Sequence, residues 1–213
     1  MLKYILKFKN GKNLEKIDNV NEFLENIKID EDENEPLIVY LYKDDQDKYI
    51  IKTKTAIQCY GEKVFPNETL IGLNIPKNKE YQNDDHKLIL DFINELKYDL
   101  EKKNINVKLP FDKESENHKT MNCKFVKNYD YSEGTYFYWK IFDSEFNKEP
   151  LLLEYNEWSQ IIKQQKRYNV LHLQPILKIY SKSNIQIHFN ILQLSFIIQK
   201  YKRKLISKPT PLP

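Results

Sequence analysis

Glycine is scarce in this 213-residue chain, and its four copies build neither a phosphate-cradling loop nor a nucleophile elbow. The two cysteines, Cys59 and Cys123, lie too far apart for a Cys-x-x-Cys motif or a close-spaced metal site. Two buried thiols in a reducing, intracellular compartment is the simplest account of them. The four histidines, His86, His118, His172 and His188, have no partner four residues away. His118 and Cys123 alone make no zinc site. No run approaches the 18 apolar residues of a membrane span, and lysines break up Met1–Lys9 too often for a secretory core, so the expectation is a protein that is not secreted.

The consecutive acids at 30–35 and 44–47 sit in turn-like segments, whereas metal-holding carboxylates must converge rigidly. No metal, no cofactor and no catalytic constellation is expected, and the chain reads as a non-enzyme. Acid is also missing from the chain's end. All 31 Asp and Glu lie in residues 1–157, whereas ten of the 34 basic residues lie in 158–213, a balance of +10 for the end against −7 for the rest. Such polarity points to an anionic partner for the C-terminal part. An apolar wedge at Phe189–Ile198 followed by lysines could sit on lipid, but its alternation is that of a strand, whose edge would stay unpaired there. No membrane partner is expected.

What is abundant is aromatic. Fifteen tyrosines and eleven phenylalanines fit a pleated surface better than a helix. With 40% hydrophobic and 31% charged residues, the chain is globular rather than disordered. The richest stretch is Thr135-Tyr136-Phe137-Tyr138-Trp139-Lys140-Ile141-Phe142. On a strand, Thr135, Phe137, Trp139 and Ile141 share one face, and Tyr136, Tyr138, Lys140 and Phe142 the other. The second face offers stacking rings beside a cation, the pairing used to hold single-stranded nucleic acid. A strand buried on both faces is the plain alternative.

Around that stretch the pattern alternates with period two. Leu2, Tyr4, Leu6 and Phe8 predict a first strand, and Asn19 with Glu22 a capping box opening a short helix. Leu37–Tyr42 and Tyr49–Tyr60 read as a hairpin around Asp44–Asp47, with Lys52 and Lys54 on one face of its second run. Leu70–Ile75 predicts a strand. Ile89, Phe92, Ile93, Leu96 and Leu100 predict a long helix with Asp84 at its cap. Ile105–Phe111 reads as an edge strand, because Pro110 cannot donate to a ladder. Asp112–Asn122 is polar and reads as a mobile insertion loop. Asn156 predicts a second short helix that leaves Lys163, Lys166 and Arg167 in solvent. Val170–Tyr180 and Ile185–Ile198 predict a closing hairpin, with Lys178 and Tyr180 repeating the ring-plus-cation face. The apolar parity of the last strand switches near Ile191, which predicts a bulge. The expected fold class is α+β, mainly β: a Greek-key barrel or curled antiparallel sheet with one long and one or two short helices, over a single domain at 1–199, before a basic, proline-rich tail at 200–213.

The strand, proline and helix of Leu70–Lys103, the Tyr136–Phe142 strand with Leu151–Tyr155, and above all Pro175–Tyr180 with Ile187–Leu194 resemble the single-stranded DNA-binding proteins of nucleocytoplasmic large DNA viruses. The last strand carries a glutamine, Gln193, between two apolar residues, as in that family's final hairpin. Departures are the lack of any glycine after Gly134 and a basic tail in place of an acidic one. Leu153–Gln160 is similar to the strand-to-helix junction of PC4-type transcriptional coactivators. The first resemblance implies an OB-like domain that binds single-stranded DNA, with RNA left open, in viral replication or transcription, alongside self-association or replication proteins. On that reading Tyr136, Tyr138 and Tyr180 stack bases, while Lys140, Lys163, Arg167, Lys178 and Lys182 meet phosphate. Lys200, Lys202, Arg203 and Lys204 add sequence-independent affinity. The rival is a virion-associated interaction module that turns the same rings toward protein.

Overall fold

The computed structural model describes residues 2–27, 36–54, 57–64, 69–125, 139–143, 151–153 and 167–196. Its first strands, β1 (Ile5–Asn10) and β2 (Asn13–Ile17), form an antiparallel hairpin in which Asn10 faces Asn13 across a two-residue turn. Gly11 opens that turn at φ 58°, a left-handed value that side chains resist. Helix α1 (Val20–Asn26) follows, with the Asn19 side chain accepting from the amides of Asn21 and Glu22 as the capping signature requires. Phe23 of α1 lies 4.7 Å from the Phe8 ring of β1, which holds the helix on the sheet.

Strand β3 (Leu37–Tyr42) runs antiparallel to β1. The segment after it departs from the expected hairpin. Tyr49–Tyr60 divides into β4 (Ile51–Lys52) and β5 (Ile57–Val64), and both pair with β12 (Arg167–Ser181) rather than with β3. The Tyr42–Lys48 bridge, the Lys43 amide bond to the Asp47 carbonyl and the Tyr49 amide bond to the Leu41 carbonyl close the tip locally. The alternation was right and the partner wrong, because ladder partners more than 100 residues away leave no local trace.

Strand β6 (Thr69–Pro76) leads through a 3₁₀ turn at Lys79–Tyr81 into α2 (Asp84–Glu101). The cap of α2 is Asn83, one residue before the expected Asp84. Its side chain accepts from the His86 amide at 2.8 Å, and the Asn83 amide donates back to His86 Nδ1 at 3.1 Å. We expect Asn83→Ala to cost about 1 kcal/mol in urea denaturation. Asp84→Ala should change stability by less than about 0.5 kcal/mol. Equal losses in the two variants would contradict the assignment of the cap.

Seven strands, counting the β12 already introduced, complete the set. β7 is Val107–Lys108, which leaves most of the expected 105–111 strand irregular. β8 (Lys113–Glu114) and β9 (His118–Phe125) then form where the polar insertion loop was expected, and β9 pairs along its whole length with β6. β10 (Trp139–Asp143) and β11 (Leu151–Leu153) are antiparallel partners, followed by β12 and β13 (Asn184–Phe196).

Pairing runs through β5, β6, β9, β13 and β12 and returns to β5. The β9–β13 step is parallel and consists of two residue pairs, Lys124 with Asn190 and Phe125 with Ile191, so the ring is not closed along its full height. The sheet path also keeps two ends, β2 and β11. The architecture is therefore α+β and mainly β, a curled and chiefly antiparallel sheet of OB-like, partly open barrel form.

Inside the curl, Ile71, Leu73 and Ile75 of β6 meet Met121 and Cys123 of β9, and Ile185, Ile187, Phe189 and Ile191 of β13. The stripe of α2, Ile89, Phe92, Ile93, Leu96 and Leu100, is buried against them as the helical spacing predicts. Both cysteines are free and buried, and burial pushes the Cys123 thiol well up. Neither described helix is long and apolar enough to cross a membrane.

Candidate nucleic-acid interface

Strand β12 presents two chemically different faces. Leu171, Leu173, Leu177 and Ile179 are buried in the core, whereas Lys178 is half-buried and Tyr180 is 37% exposed on the other side. Between the Ile179–Ile185 and Ser181–Asn184 pairs the ladder skips Tyr180, so this residue is an unpaired bulge. A second skip falls at Leu192, since Leu173 faces Ile191 and His172 faces Gln193. That is the bulge foreseen near Ile191.

Registers across the sheet carry the parity of Lys178 further, through Ile176, Gln174 and Asn190, which are themselves buried. Lys178 lies between Ile38 of β3 and Gln186 of β13, and Gln186 is level with Lys108 of β7. One row along, Ile176 lies between Tyr40 and His188. In the next, Gln174 faces Asn190, which is level with Lys124. In the fourth, His172 lies between Lys52 and Gln193. Lys52, Lys108 and Lys124 are exposed. At about 3.3 Å per residue the rows from His172 to Lys178 span roughly 20 Å.

The histidines on this face are held neutral. His188 Nε2 is 3.1 Å from Gln186 Oε1, and burial, aided by the Lys178 charge, brings its pKa down to about 4 against a smaller opposing pull from Asp112. His172 is lowered by burial and then by Lys52. Both shifts come from burial first and a neighbouring lysine second.

The expected site residues fall into three groups. Lys178 and Tyr180 share the face, and Lys140 is a residue of β10, opposite Leu152 of β11. Lys182 lies in the turn after β12, where its ammonium donates to the Glu25 carbonyl at 3.0 Å, a contact that ties the turn to the end of α1. Arg167 requires a correction. It is not on a helix but is the first residue of β12, opposite Cys59 of β5. Tyr136, Tyr138, Lys163, Lys200, Lys202, Arg203 and Lys204, with the helix expected from Asn156, lie outside the described residues.

Tyr40, Lys108 and Lys124 are on this face and were missed. Tyr40 sits in a run apolar on both parities, Lys108 comes from a segment read as an edge strand, and Lys124 lies just past the loop expected at 112–122. Among the described residues no group of three His, Cys, Asp or Glu side chains could hold a metal ion.

No family model matches the chain, and no curated protein matches it. Among solved structures, it is similar to the single-stranded DNA-binding protein from bacteriophage Enc34, at 17% identity and TM-score 0.45 over 70% of this chain and 81% of that one. A C-terminal truncation of that phage protein gives 19% identity and TM-score 0.45, over 70% and 84%. It is also similar to gp2.5, a single-stranded DNA-binding protein encoded by bacteriophage T7, at 9% identity and TM-score 0.44 over 70% and 86%.

Proposed function

We propose that this chain is a non-catalytic, OB-like protein that binds single-stranded DNA in viral DNA replication or transcription, inside the cell. The observation that carries the reading is the outer side of β12 and its neighbours, where Lys178, with Tyr180 two residues on, is in register with Lys108 and lies two rows from Lys124 and three from Lys52. A flexible strand needs rings for its bases and ammonium groups for its phosphates, and it needs neither a groove-reading helix nor a matched set of base-edge donors. On this reading Tyr136 and Tyr138 extend the stacking surface, and Lys140, Lys163 and the cations from Lys200 to Lys204 extend the phosphate track. Arg167 would meet phosphate from the start of β12, and Lys182 holds a secondary place because it already binds the Glu25 carbonyl.

Filter binding of oligothymidylate and of a duplex of equal length, each across a salt series, tests the proposal. The single strand should bind more tightly. Tyr180→Ala should weaken binding by about 1–3 kcal/mol at every salt concentration. Lys178→Gln and Lys108→Gln should each flatten the slope of log K against log salt by about 0.7. Folded variants that bind as the parent does, or a parent that prefers duplex, would remove the assignment.

A further inference from the structure

A second basic feature lies away from that face, where β1 begins and α2 ends. A cleft of 430 Å³ is lined there by Lys3, Lys43, Lys102 and Lys103, with Asp99 the lone acid and Leu2, Tyr4 and Ile5 completing the wall. The four lysines come from three separate parts of the sequence, so their convergence is a product of the fold. Among the described residues none of them is in an ion pair, whereas Lys7, Lys16, Lys77, Lys87, Lys97 and Lys119 each have a carboxylate. Three of the four have an aromatic ring instead, Lys43 near Tyr49 at 5.8 Å, Lys102 near Tyr98 at 4.1 Å and Lys103 near Tyr4 at 5.3 Å.

The plain account is that these cations complement the negative end of α2. Two observations weaken it. The turn after α2 already uses the end carbonyls, since the amides of Lys102, Lys103, Asn104 and Ile105 donate to Tyr98, Leu100, Glu101 and Leu100. Moreover, Lys3 and Lys43 do not belong to the helix at all. What is left is four positive charges around one carboxylate, in a space within the ~300–1,000 Å³ range of small-ligand sites.

We propose that this cleft is a phosphate site that takes one phosphate-bearing unit, either of a bound strand or of a free nucleotide. For the strand source the proposal rests on the nucleic-acid reading above; for the free nucleotide it stands alone. Lysines suit this role as point charges that grip a phosphate without fixing its orientation, and Tyr4 with Leu2 offers an apolar wall beside it.

The full-length protein is titrated with pyrophosphate by calorimetry and with a 15-residue oligothymidylate by filter binding, as the parent, as Lys43→Gln/Lys103→Gln and as Asp99→Asn. The double variant should weaken pyrophosphate binding about tenfold, and Asp99→Asn should tighten it severalfold, an opposite change that loss of folding cannot produce. If the oligonucleotide also weakens and its salt slope flattens by about 1.4, the unit belongs to a strand; if pyrophosphate alone responds, it belongs to a free nucleotide. A parent that binds pyrophosphate but no oligonucleotide leaves the cleft in place and removes the sheet-face reading. Variants that melt like the parent and change neither titration overturn the site.

Discussion

Phe189→Ala is expected to cost about 3–5 kcal/mol of folding free energy, the range for emptying a buried aromatic position. Phe189 is 1% exposed and lies on β13, the strand that pairs with β12, β9, β7 and β10. Its ring meets Phe92 of α2 edge-on at 6.2 Å, and Phe92 meets Tyr49 at 5.0 Å. One side chain thus joins the central strand to the helix and, through it, to the segment after β3. Truncation leaves a void where three elements meet, and rigid ladders on both sides of β13 hinder its collapse. Against a typical total of about 5–15 kcal/mol the loss is large enough to populate unfolded chain at room temperature. Urea denaturation followed by circular dichroism measures it. Leu88→Ala is the control, since Leu88 is on α2 but 46% exposed and should lose less than about 1 kcal/mol. A loss below 1 kcal/mol for Phe189→Ala would mean that the ring does not fill the centre of the core.

Local periodicity carried much of this architecture. The α2 stripe, the Asn19 cap, the alternation of Leu177 and Ile179 with Lys178 and Tyr180, and the parity switch in β13 are all consequences of side-chain direction within a few residues. Pairing partners are not. The strand after Asp44–Asp47 was legible as a strand, yet β4 and β5 find their partner in β12, and nothing near residue 50 records that. Strand β9 was hidden for a different reason. Apart from Phe125 at its end, its apolar residues are Met121 and Cys123, while Lys119, Thr120, Asn122 and Lys124 give the composition of a loop. Its ladder with β6, the carboxylate of Asp112 accepting from the Asn122 amide at 2.8 Å, and the paired Lys113–Thr120 register supply what composition withholds. The same gap concealed part of the candidate interface, because Lys108 has its ladder partner on β13 and Lys124 its partners on β13 and β6. Arg167 shows the converse error, a basic run read as the solvent face of a helix although its last member already belongs to β12.

Acid is expected to weaken the fold between about pH 6.5 and pH 4, with His188 making the largest single contribution. The native state holds this imidazole neutral down to about 4, through burial first and the Lys178 charge second, while an unfolded chain would protonate it near 6.5. The sign follows from proton counting. Above pH 6.5 neither state binds the proton and stability is unaffected. Below it the unfolded state takes up a proton that the native state refuses, so stability falls until the native pKa is reached and then levels off. The loss from His188 alone is on the order of 2–3 kcal/mol by pH 4. His172 and His86 are lowered by burial as well and add in the same direction, and the His86 case has a structural cause in plain view, because its Nδ1 must stay unprotonated to accept from the Asn83 amide. The measurement is a series of urea midpoints from pH 7.5 to pH 4. His188→Gln should leave the midpoint at pH 7.5 close to that of the parent, since glutamine can still hydrogen-bond Gln186, and should visibly flatten the decline below pH 6.5. An unchanged decline in this variant would show that His188 titrates alike in the native and unfolded chains, and that Lys178 does not act on it across the outer face.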